Sequence, residues 1–67
     1  MNMTPKQVNR LIEHVGGTEA FARLIGIDYR AKGQPQRIAN WRHRGIPDRV
    51  LLENYGLLKR LRRQAGV

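Results

Sequence analysis

Apolar residues return along this chain at helical spacing, and polar punctuation separates the stretches that carry them. Val8, Leu11, Ile12 and Val15 stand at i, i+3, i+4 and i+7, which draws one buried stripe on a first helix. Thr4 is a good N-cap for it, Pro5 takes the first helical position, and Gln7 completes a capping box with Thr4. Gly16 supplies a left-handed stop, so the predicted span is 5–15. A second helix is predicted over 18–25, capped by Thr18, with Phe21, Leu24 and Ile25 as its apolar face. Ala22 is small where a neighbouring helix must come close. Gly26 ends this helix, and Ile27 can fold back onto Phe21 or Ala22.

From Asp28 to Gln34 there is no helical period. Pro35 cannot stand inside a helix but is welcome in a first turn, so a third helix is predicted over 35–44. Ile38 and Trp41 face inward at i and i+3. If Gly45 is the left-handed residue just past the end, Trp41 and Ile46 occupy the two positions whose side chains touch in a Schellman motif. Pro47 then opens a fourth helix, with Asp48 at its positive end. Val50, Leu51, Tyr55, Leu57, Leu58 and Leu61 continue an apolar stripe, which Gly56 interrupts. That stretch reads as one long helix or as two, 47–55 and 57–63. The expected fold is all-α, a compact bundle of four to five helices in a single domain over 1–67.

Composition narrows the partner. Thirteen Lys and Arg against five Asp and Glu give a formal net charge of +8, and arginine outnumbers lysine. Such a surplus on 67 residues favours a polyanion, nucleic acid first and an anionic membrane second. Arginine forks suit phosphate and guanine edges. There is no cysteine, which excludes disulfides and thiolate metal sites and fits a reducing cytoplasm. The N-terminus lacks the apolar core of a signal peptide. Apolar runs reach three residues at most, against the roughly 20 that a transmembrane helix needs.

Catalysis finds no support. His14 and His43 have no partner at metal-ligand spacing, and the five carboxylates form no recognisable pair. No metal, cofactor or small-molecule ligand is implied. Residues 17–47 read in order as a helix, a glycine stop, a loop, a polar and basic helix, a second glycine stop and a helix start. That is the order in which a helix-turn-helix presents one helix to the DNA major groove. Gln34, Gln36, Arg37 and Asn40 carry the chemistry of direct readout, since Gln and Asn pair bidentately with adenine and Arg with guanine. His43 is a further candidate for a base edge or a phosphate. Arg42 and Arg44, with Arg30 and Lys32 from the loop, read as phosphate clamps, and Thr18 adds a hydroxyl at a helix N-terminus. Trp41 reads as core, whereas Tyr29 either covers the core or touches the sugar-phosphate backbone. Leu57, Leu58 and Leu61 are candidates for a face against a second subunit. The run Lys59–Arg63 either grips phosphate or is a solvated face.

Three segments carry a family resemblance: Ala22-x-x-x-Gly26-Ile27, then Ile38-x-x-Trp41, then Arg44-Gly45-Ile46-Pro47. Together they resemble the lambda-repressor-like helix-turn-helix proteins, in particular short phage Cro-type repressors and YdaS-type antitoxin-like regulators. The resemblance covers about Leu11 to Val50. It departs in one place: the family's aliphatic anchor follows the glycine by about six positions, whereas Ile38 follows Gly26 by twelve. The turn is therefore enlarged within 28–34. Anchored on Ile38 and Trp41, the resemblance implies base-facing positions at Gln34, Pro35, Gln36, Ala39, Asn40 and His43, with Arg37 peripheral. It implies a bacterial, cytoplasmic, nucleoid-associated phage-type regulator that binds operator DNA as a homodimer and acts by blocking or repositioning polymerase. Two other classes stand beside it: an antitoxin-like protein-interaction module, and a general nucleic-acid binder.

Overall fold

The computed structural model describes residues 3–67, which fold into five α-helices with no strand among them. They are α1 (Pro5–His14), α2 (Thr18–Leu24), α3 (Gln34–Arg44), α4 (Asp48–Glu53) and α5 (Tyr55–Ala65). α1 packs against α2, α3 and α5. α2 also packs on α3, and α4 approaches only α5. No helix is long and apolar enough to cross a membrane among the described residues.

α1 begins as its sequence predicts. The Thr4 hydroxyl accepts from the Gln7 N–H at 3.2 Å, and the Gln7 side chain accepts from the Thr4 N–H at 3.0 Å. Met3 and Val8 occupy the N′ and N4 positions that a hydrophobic staple joins, and both are buried in one cluster. At the other end the Gly17 N–H reaches the Ile12 carbonyl and the Gly16 N–H the Glu13 carbonyl, a full Schellman closure. α2 closes in the same way: the Ile27 N–H bonds the Ala22 carbonyl at 2.9 Å, and Ile27 packs on the core. Its start differs from expectation. Gly17 holds the N-cap position with no side-chain cap, and Thr18 is the first helical residue.

The core joins Val8, Leu11 and Ile12 of α1 to Phe21 and Ala22 of α2, Ile38 and Trp41 of α3, Ile46, Val50 and Leu51, and Leu58 and Leu61 of α5. Phe21 meets Trp41 edge to face, with ring centroids 6.4 Å apart and planes at 88°. Trp41 is core, and Tyr29 lies half-buried against it. Leu24, expected to face inward, is instead 46% exposed.

Three expectations at the C-terminal side are corrected. Gly45 does not close a Schellman motif with Ile46. Its φ of 94° and ψ of 168° lie outside the left-handed helical region, and its N–H makes the ordinary four-residue bond to the Trp41 carbonyl at 2.8 Å. The chain turns sharply there, and Ile46 is still buried. Leu58 and Leu61, expected at a subunit interface, belong to this chain's own core: Leu58 is fully buried and Leu61 nearly so, while Leu57 is half-buried against the same cluster. The stripe is spent on α1, which α5 packs against. The break between the last two helices falls at Asn54 and not at Gly56. The Asn54 backbone N–H makes the ordinary helical bond to the Val50 carbonyl, and the Asn54 side-chain amide donates to the same oxygen, a back-bond of the kind that bends helices.

Candidate nucleic-acid interface

α3 is seated by one face and exposed on the other. Ile38 and Trp41 are buried, while Pro35, Gln36, Arg37, Asn40, His43 and Arg44 are exposed. Gln36, Asn40, His43 and Arg44 fall at i, i+4, i+7 and i+8, which puts them on one surface of the helix. The Gln36 amide lies 3.4 Å from the Asn40 side-chain oxygen, so the two are neighbours on successive turns of that surface. The Arg37 guanidinium lies 5.5 Å from the Trp41 ring centre, flanking the exposed stripe and capping the tryptophan. The N-terminus of α3 has no side-chain cap and no acidic residue in its first turn, so its positive end is uncompensated by the chain itself.

Not every predicted contact residue is free to meet a ligand. Gln34 is half-buried, and its side-chain oxygen is closed off with no hydrogen-bond partner. Its expected role at a base edge is therefore corrected: it stands at the first position of α3, turned toward the protein. Arg42, expected to clamp phosphate, is engaged within the fold. Its Nε donates to Asn9 Oδ1, one terminal nitrogen lies 2.6 Å from a Glu13 carboxylate oxygen, and the other lies 3.5 Å from the Thr18 hydroxyl. Asn9 replies through its amide, which donates to the Arg42 carbonyl at 2.9 Å and to the Pro5 carbonyl at 3.0 Å. α1, the start of α2 and α3 are thus bolted together through one guanidinium. Thr18 is half-buried and serves that cluster.

The loop between α2 and α3 is structured. The Asp28 carboxylate accepts from the Arg30 N–H at 3.1 Å, the Ala31 N–H bonds the Asp28 carbonyl, and the Gln34 N–H bonds the Ala31 carbonyl. These are two successive tight turns, opened by an Asx-type contact. Gly33, left-handed at φ 84°, swings the chain into α3. Arg30 and Lys32 are exposed on this loop. Among the described residues three ion pairs form, Arg23–Glu19, Arg42–Glu13 and Arg49–Glu53. Arg30, Lys32, Arg37 and Arg44 are in none of them, so the α3 face and its approach loop carry uncompensated positive charge.

No family model, characterised protein or solved structure matches this chain. What the site can do therefore rests on its own chemistry. It offers three side chains able to pair with base edges, Gln36, Asn40 and His43, on a helix held from behind. Cations able to meet phosphates flank them. Sequence reasoning missed Asn9, because nothing local to α1 shows a partner 33 positions away.

Proposed function

We propose that this chain is a sequence-specific DNA-binding regulator of the phage-repressor type, a homodimer that lays α3 in the major groove of operator DNA. The observation that carries the reading is the polar stripe Gln36–Asn40–His43–Arg44 on a helix whose opposite face is buried. Gln and Asn pair bidentately with adenine, and Arg with guanine, so a row of them on a rigid helix discriminates base pairs by about 1–3 kcal/mol each. Arg30, Lys32 and Arg37 flank the row and supply affinity that is blind to sequence. Binding blocks or repositions polymerase without any bond being made or broken, and the setting is the bacterial cytoplasm.

Selection from a random duplex pool at physiological salt tests this. The expected product is an inverted repeat with half-site centres one helical turn apart, roughly 34–36 Å. A pool that emerges unenriched, with equal affinity for unrelated duplexes and single strands, would refute sequence readout and leave a general nucleic-acid binder.

A further inference from the structure

Two features of α5 weaken it as a helix and return nothing to the fold. Gly56 is its second residue, and of the chain's seven glycines it alone has no positive φ. A methyl carbon built there would meet nothing within 4 Å. Neither backbone geometry nor packing asks for glycine, which is a poorer helix former than alanine. Further along, Lys59, Arg60, Arg62 and Arg63 crowd onto a helix that holds no carboxylate. Lys59 and Arg63 stand four apart, and Arg60 and Arg63 three apart, spacings at which like charges repel. No ion pair among the described residues takes up any of the four. Arg62 and Arg63 suit the negative end of the helix dipole, but Lys59 and Arg60, in the middle, gain nothing from it.

The glycine and the cations share one surface. Gly56, Lys59, Arg60 and Arg63 fall at i, i+3, i+4 and i+7, and all four are exposed. The Lys59 ammonium lies 5.9 Å from the Tyr55 ring centre, which steadies it on that face. Bare main chain with two cations one turn on, and a third a turn further, suits an anionic group that comes close to the backbone. Arginine forks grip phosphate through paired bonds. The cations rise in steps of about one turn, 5.4 Å, close to the step between successive phosphates of a strand. A membrane does not fit, because Leu58 and Leu61 lie in the core and leave α5 no apolar face to insert. We infer that this face of α5 is a seat for the phosphate backbone of nucleic acid, one phosphate held over Gly56 by Lys59 and Arg60 and the next by Arg63. α5 packs on α1 and α4 and not on α3, so the seat is separate from the α3 stripe. It supplies affinity without sequence choice, and it stands whether or not α3 reads bases.

Fluorescence anisotropy of a labelled random-sequence DNA duplex, titrated with the full chain at several salt concentrations, tests the seat. Lys59→Ala with Arg60→Ala should lower affinity and reduce the salt slope by about 2. Lys6→Ala with Arg10→Ala removes the same charge from exposed positions of α1 and should leave the slope nearly unaltered. Gly56→Leu changes no charge. It should raise the melting midpoint by a few degrees, leucine being the better helix former, and weaken duplex binding about fivefold or more. A merely structural glycine would move stability and leave binding alone. Poly-glutamate at equal charge should displace the duplex about tenfold less well than unlabelled duplex does. Equal losses from the two double variants, a Gly56→Leu protein that binds like the parent, or poly-glutamate that competes as well as duplex would each overturn the seat. The α3 reading fails separately: a random pool that yields no enriched sequence leaves the seat standing, and an enriched sequence bound without help from α5 sinks only the seat.

Discussion

Replacing Arg42 separates a fold-holding arginine from a DNA-gripping one. In Arg42→Ala the Asn9 side-chain oxygen loses its donor, Glu13 loses its cation, and Thr18 loses a contact at the 3.5 Å limit. The bond to half-buried Asn9 is charge-assisted and contributes about 1.5–3 kcal/mol. Glu13 is 66% exposed, so its ion pair adds only about 0.5 kcal/mol, and the Thr18 contact adds little. The loss is about 2–3 kcal/mol, a large part of what a domain of this size has. At about 4–8 °C per kcal/mol, the melting midpoint should fall on the order of 10–20 °C. Arg42→Lys should behave almost as badly, because an ammonium cannot reach Asn9, Glu13 and Thr18 together. Asn9→Ala should cost a similar amount, and the double variant little more than either single one, since both remove the same clasp. Thermal melts of the four proteins measure this. If Arg42→Ala melts within a few degrees of the parent while the salt slope of DNA binding drops by about 1, Arg42 grips phosphate and the clasp is incidental.

Asn40→Ala should relax preference at one or two base pairs and leave the salt slope nearly unaltered, as read by competition among variant duplexes. Arg30→Ala with Lys32→Ala should lower affinity for specific and nonspecific duplex alike; a change in base preference would mean that the loop itself reads DNA. Leu58→Ala should cost about 2–5 kcal/mol in a chemical melt, because the side chain is fully buried within one chain. A fully stable variant that merely loses association would return Leu58 to a subunit interface. Gly45→Ala should cost about 1–3 kcal/mol in the same melt, since φ 94° with ψ 168° is nearly closed to other residues and the new methyl carbon would sit 3.5 Å from the Met3 carbonyl oxygen.

Local signals in the sequence located the helices well. The Thr4–Pro5–Gln7 cap, the glycine stops at Gly16 and Gly26, and Pro35 each act within a few residues, so their outcome is written next to them. Gly45 marks a real end, yet which glycine conformation it takes depends on where Met3 and Ile46 pack. The last break was misplaced because a glycine is easily seen, whereas the Asn54 bond to Val50 depends on side-chain choice. Leu58 and Leu61 show a further limit: a helical stripe says that something covers it, not whether the cover is the same chain. The exposed row on α3 was legible from Ile38 and Trp41, which fix the opposite face. The capture of Arg42 was not, because Asn9, Glu13 and Thr18 lie 24 to 33 positions away.

α3 takes its position from Ile38, Trp41 and the Asn9–Arg42 clasp, none of which lies in the segment that precedes it. The length of that segment is therefore free to drift. Doubling a flexible loop adds only about 0.6 kcal/mol of closure entropy, and here two tight turns take up its length. The stretch around Lys32 is accordingly the natural place to accept a foreign peptide without tilting the helix that follows.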